Sequence, residues 1–215
     1  MNEVDFFKNL LSDIDNAYQK SGVYREYGDK NWGYNAAISR FVKKSTVIIG
    51  FNGGVDQSWT AKGNVYGPQK EYPIRNFAEL YDELGSLKRV VGLFQEFHPE
   101  ANKGVQINYC FFRSEGEGQI TWHDLELCAP IFKRLIEYLE PNEIITFSRS
   151  LHDYFSRNKL LDVVEGNFVS NNRSVACSKG NVKIGNKRIP YSNLPHPNYP
   201  ITTESRRKAW KYCFS

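Results

Sequence analysis

Three short apolar runs constrain this chain more than any other feature. TVIIGFNGG (46–54), VQINYCFF (105–112) and EIITFS (143–148) are dense in β-branched and aromatic residues, and each leads into a polar or glycine-containing loop. Runs of this length suit strands buried on both faces, the condition of a parallel sheet covered by helices on either side. Helical spacing falls where such a sheet needs it. Residues 3–20 put Val4, Phe7, Leu10, Leu11, Ile14 and Ala17 on one face, and residues 76–87 read as another helix. Residues 122–139 align Leu125, Cys128, Ile131, Phe132, Leu135, Ile136 and Leu139, with Pro130 expected to bend that helix or mark its start. SLHDYFSRN reads as a short helix behind the third run. Gly185-Asn186 between alternating segments signals a hairpin, and IPYSNLP then forms a last extended piece. This order predicts an α/β sandwich with a mostly parallel central sheet. At 215 residues the chain is long enough for one domain with its own core.

Ligands of such sheets gather at the carboxyl ends of the strands. The loops expected there are GFNGG, NYCFFRSEG, FSRS and PHPNYP. In the last of them Pro195 and Pro197 fix the backbone on either side of His196, which by itself describes a turn histidine. Basic residues cluster late, with Lys179, Lys183, Lys187 and Arg188 on the hairpin, then Arg206, Arg207, Lys208 and Lys211. The second group follows Thr202-Thr203-Glu204-Ser205, a helix N-cap region whose amides can take a phosphate. A solvated helix face is the competing reading. The formal net charge is only +4, so any nucleic-acid surface depends on where the charges sit.

Other classes lose support. Cys110, Cys128, Cys177 and Cys213 form no CxxC pair, and His98, His123 and His152 have no ligand spacing, so neither a metal nor a disulfide framework is expected. GFNGG is neither a P-loop nor GxGxxG, and no cofactor is expected. No apolar run reaches the roughly 20 residues of a membrane span. MNEVDFFKNLL is acidic and amphipathic, unlike a signal peptide, so a cytoplasmic, reducing setting is expected.

Taken in order, the loop motifs resemble the uracil-DNA glycosylase superfamily over roughly residues 46–212. Gly50-Phe51-Asn52-Gly53-Gly54 is similar to its G-x-N-P-G loop, and Ile107-Asn108-Tyr109-Cys110 to the strand that ends in asparagine. Leu139 to Ile145 resembles an L-x-P-x-x-I-I strand entry, and His196-Pro197-Asn198-Tyr199-Pro200 an H-P-S-P segment before a helix. The first two motifs lie nearest the single-strand-selective and mismatch-specific branches, where asparagine replaces an aspartate base. Gly53 in place of proline, and Asn198-Tyr199 in the last motif, depart from the pattern.

The resemblance implies a three-layer α/β/α sandwich around a mostly parallel four-stranded sheet. The single domain would span 1–215, with an N-terminal helical extension over 1–45 and a hairpin insertion near 160–190. It implies a monomeric, metal-free DNA glycosylase that hydrolyses the N-glycosidic bond of a flipped uracil or modified pyrimidine, for repair or for defence against phage DNA. The partner is single- or double-stranded DNA. A non-catalytic nucleic-acid-binding module on the same fold is the alternative.

In that reading His196 donates to the departing base. Asn52 has no proton equilibrium near neutrality and can only orient water, so Asp56 is the nearby carboxylate to consider as base, or else a surface aspartate. Asn108 would pair with the base edge or cap local backbone, and Phe51 completes the base pocket. Tyr66 would stack on the base, with core packing its rival, as for Trp59. Asn198, Tyr199, Arg206, Arg207 and Lys208 would meet DNA, and Gly53 and Gly54 would leave room for a bulkier base.

Overall fold

Each apolar run is a strand in the computed structural model, which describes residues 2–56, 65–83, 88–170 and 173–215. Trp59 and residues 84–87 of the second expected helix lie outside them. The strands are β1 (Thr46–Gly54), β2 (Val105–Ser114), β3 (Glu143–Thr146), β4 (Leu161–Ser170), β5 (Arg173–Ile184) and β6 (Lys187–Asn193). They form a six-stranded sheet in the order β2-β1-β3-β6-β5-β4. The neighbours from β2 to β6 are parallel, whereas β5 runs antiparallel to both β6 and β4.

The sheet therefore corrects the four-stranded expectation: it is mixed, and the region near 160–190 supplies two of its strands. The cause is local. LDVVEGNFVS intersperses Asp162, Glu165 and Asn167 among apolar residues, as an antiparallel strand with one wet face does. Tight hairpins can add such strands, while parallel ones need a crossover. Gly185 takes a left-handed φ of +60 at the β5–β6 turn, where Ile184 pairs with Lys187.

Helices cover both faces. They are α1 (Glu3–Tyr18), α2 (Gly22–Tyr27), α3 (Phe77–Glu83), α4 (Lys88–Phe97), α5 (Trp122–Leu139), α6 (Arg149–Arg157) and α7 (Thr203–Phe214). Val47 and Ile49 point into a core shared with α1, α5 and α6, while Ile48 points into a second core with Phe77, Phe94 and Trp210. This is the period-two alternation of a strand buried on both sides. In α5, Thr121 and Asp124 form a capping box, so the helix starts at Trp122 and Pro130 lies inside it. The bond Pro130 cannot make would end at Glu126, and both residues lie on the exposed face.

The N-terminal segment is helical only in part. Beyond α2 it turns extended and runs antiparallel along the outer edge of β2. Asn35 N donates to Phe111 O (2.9 Å), Ile38 N to Gln106 O (3.0 Å) and Arg113 N to Gly33 O (3.0 Å). These bonds close an edge that would otherwise be open. Gly33 is required there: its φ is +66, and a Cβ would lie 2.1 Å from the Gly67 carbonyl.

Candidate active site

Because β1, β2, β3 and β6 are parallel, the loops that follow them meet at one rim. A cavity of about 690 Å³ opens there. β1 contributes Gly50 to Gly54, β2 contributes Gln106, Asn108 and Arg113, and the edge segment contributes Asn35. Phe147 and Ser148 after β3, Glu117 after β2, and His196 to Asn198 after β6 complete the wall. Strand register brings together the GFNGG, asparagine and histidine motifs, as Gly50 pairs with Asn108 and Asn52 with Cys110.

The cavity is polar in a specific way. Asn35 Oδ1, Gln106 Oε1, Asn108 Nδ2 and Arg113 Nε are buried atoms with no hydrogen-bond partner, and all four residues line it. An unmet buried polar atom costs roughly 1–3 kcal/mol, so water, a ligand or a small side-chain shift is expected to supply partners beside this cavity. Gln106 reaches Tyr81 Oη with its amide. A hydroxyl can donate or accept, so one end of that amide is unmet in either orientation.

Two glycines set this floor. A Cβ on Gly50 would lie 2.4 Å from Asn108 Oδ1, so its absence is what lets the Asn108 amide lie across β1. A Cβ on Gly53 would meet Asn35 Oδ1 at 2.8 Å and Arg113 Cγ at 3.2 Å. The space freed at Gly53 is thus already filled by Asn35 and Arg113, contrary to the expectation that it enlarges the pocket. At Gly54 nothing lies within 4 Å.

Asn52 is half-buried. Its Nδ2 donates to Ser114 Oγ (2.7 Å) and approaches the Gly53 and Phe112 carbonyls at 3.2 and 3.4 Å. Carbonyl oxygens accept only, which fixes the amide orientation and leaves Oδ1 as an acceptor for a ligand or water.

His196 is held in one tautomer. Its Nδ1 accepts from Asn198 N at 3.1 Å, so the neutral ring carries its proton on Nε2. The loop is stapled from two helices. Arg206 of α7 donates to His196 O (3.1 Å) and Tyr199 O (2.8 Å). Arg89 of α4 donates to Pro197 O and to Asn198 Oδ1 (2.9 Å). Although much of His196 meets solvent, burial of the ring lowers its pKa below the ordinary imidazole value. Glu117 opposes that shift, while Arg206 and Arg89 add to it, and the neutral form prevails at neutral pH. On the other side of His196 a smaller apolar cavity of about 240 Å³ shares Phe147 with the first.

The other expected site residues divide. Phe51, Asn108 and Asn198 line the cavity with Asn52 and His196. Asp56 does not; its amide donates to Tyr66 Oη at 2.9 Å. Tyr66 lines an adjacent cleft of about 530 Å³, with the Arg113 guanidinium 5.1 Å from its ring centroid. Tyr199 faces the smaller cavity. Arg206 is buried, at 6% exposure, and bound to loop carbonyls, so it holds the histidine loop. Arg207 pairs with Glu96, and Lys208 with Glu204 at 2.6 Å. Thr202 caps α7 as expected, accepting from Ser205 N.

Sequence reasoning missed Asn35, Gln106, Arg113, Glu117 and Arg89. For Gln106 a signal existed: with Asn108 it places two polar residues on the same face of an otherwise apolar run. Among the described residues no group of three His, Cys, Asp or Glu is arranged to hold a metal ion, and no helix is long and apolar enough to cross a membrane. The four cysteines are free and buried. Compared with known proteins, the chain matches no family model and no curated protein.

Proposed function

We propose that this chain is a monofunctional DNA base glycosylase of the uracil-DNA glycosylase type, acting on a flipped uracil or modified pyrimidine and leaving an abasic site. The observation that carries this reading is the pairing of two features in one cavity: a neutral imidazole with its proton fixed on Nε2, and a floor of unmet amide groups. A planar heterocycle with mixed donors and acceptors would satisfy that floor. Breaking its N-glycosidic bond leaves the electron pair on the base, and an Nε2–H directed at a base oxygen stabilises that charge as it forms. The two arginine staples and the flanking prolines limit reorganisation at that moment. A base extruded from the stack costs a few kcal/mol, which the floor contacts would offset. Four parallel strands whose loops meet at one rim fit the layered sandwich of that superfamily, here widened by β5 and β4. The smaller apolar cavity beside His196 offers room for a substituent on the base.

A non-catalytic base-binding module is the second reading, and one observation favours it. The cavity lining includes Asn52, which in the resemblance takes the place of the aspartate base, and does not include Asp56. Oligonucleotides carrying uracil, other deaminated bases, or hydroxymethylated or glucosylated cytosine decide between the two. Alkali-sensitive abasic sites on any of them support the glycosylase; salt-sensitive binding with no cleavage on the whole panel supports the module.

A further inference from the structure

With Asn52 an amide and Asp56 outside the lining, hydrolysis needs another group to take the proton from the attacking water. We infer that Glu117 is that general base, working with Asn52 as the residue that orients the water; this rests on the glycosylase reading above. Glu117 is the only carboxylate among the described residues lining the cavity. It begins the 3₁₀ turn Glu117–Gln119 that follows β2, at the exposed rim above the amide floor. In the proposed pose, a base seated on Gln106 and Asn108 would have its sugar toward that rim.

One contact holds the carboxylate itself, and the others brace the turn that carries it. Ser150, in the first turn of α6, donates its hydroxyl to Glu117 Oε2 at 2.6 Å, which leaves Oε1 without a claim from that hydroxyl. Gln119 Oε1 accepts from Glu115 N (2.8 Å) and Gly116 N (3.2 Å), bracing the turn from within. Ser114 Oγ accepts from Asn52 Nδ2 and donates to Gly116 O at 2.8 Å. That relay ties the Asn52 loop to the residue just before Glu117. Glu117 and His196 both line this cavity, so the acid and the imidazole share one mouth.

The step balances as follows. The bond from the sugar C1′ to the base nitrogen breaks and its electron pair leaves with the base, whose negative charge meets His196 Nε2–H. The water oxygen, oriented by Asn52 Oδ1, bonds to C1′. Its proton passes to Glu117, and no oxidant or further reactant is consumed.

The test is single-turnover cleavage by the full-length protein on whichever panel oligonucleotide the wild type cleaves. Glu117→Gln is expected to keep the melting temperature and oligonucleotide affinity of the wild type and to lose about 10²–10⁴-fold in rate. Glu117→Ala is expected to lose a similar factor and to regain cleavage in concentrated formate, which leaves the wild type unaffected. A purely structural role for Glu117 gives no formate rescue. Cleavage by Glu117→Gln at the wild-type rate, or a slow Glu117→Ala that formate does not restore, overturns this inference and leaves the glycosylase reading standing. A wild type that cleaves nothing overturns both.

Discussion

At the scale of single residues, the site turns on how one proton is placed. Asn198 N–H donates to His196 Nδ1, so the ring serves as a donor only through Nε2, and protonating Nδ1 sets two donors against each other. The lowered pKa keeps that conflict below neutrality. Excision is therefore predicted to hold steady above the ordinary imidazole value of about 6.5 and to fall as pH drops below it. Stability follows the same sign. The unfolded chain takes up a proton near its ordinary value and the native ring does so only lower, so His196 removes stability as pH falls through that window. His152, buried beside Tyr191, acts in the same direction. His98, raised by its bond to Glu143, acts oppositely: its contribution is complete below 6.5 and is lost as pH rises through its raised value. NMR titration of the individual imidazoles checks all three. A His196 titrating above 6.5 would contradict the lowering by burial.

At the scale of elements, α7 was read as a basic face for DNA, and its neighbouring arginines do different work. Arg206 is buried on two loop carbonyls, while Arg207 forms an exposed pair with Glu96. Arg206→Met is predicted to cost about 1.5–3 kcal/mol of stability, because it removes the charged donor from two part-buried loop carbonyls. Arg207→Gln is predicted to cost less than about 1 kcal/mol. Urea denaturation of the two variants checks the order, and equal costs would contradict the staple. Charge runs look alike in a sequence, since burial is set by what lies opposite. β4 was hidden for a related reason: LDVVEGNFVS carries a glycine and four polar side chains and gives no clean period, whereas α4 repeats Val90, Leu93, Phe94 and Phe97 at helical spacing and was readable despite the glycine at its centre. The apolar runs and α5 were legible because burial on a long face leaves a pattern that short-range reading detects. Asn52 and Asn108 were legible because each is a polar side chain within an apolar strand, and His196 because prolines flank it just past β6. Asn35 and Arg89 were not, since only the pairing of distant segments brings them to the rim.

At the scale of the whole molecule, much of the positive charge is already matched. Arg207, Lys208 and Arg188 pair with Glu96, Glu204 and Asp162. The formal net charge is +4. DNA binding is accordingly predicted to depend weakly on salt, with a log–log slope shallower than about −4, since each neutralised phosphate contributes about −0.9 on duplex. A steep slope in a fluorescence-anisotropy titration would show a larger phosphate footprint than this surface provides. On the glycosylase reading, discrimination would then come from the cavity, which Asn35, Gln106, Asn108, Arg113 and His196 line together. The most direct test of that account is single-turnover base release by the wild type and by His196→Gln on the cleaved panel oligonucleotide. The account predicts an abasic product from the wild type and a rate at least about 10²-fold lower from the variant. Base release that is unchanged by the substitution, or absent from the wild type on every base, would contradict it.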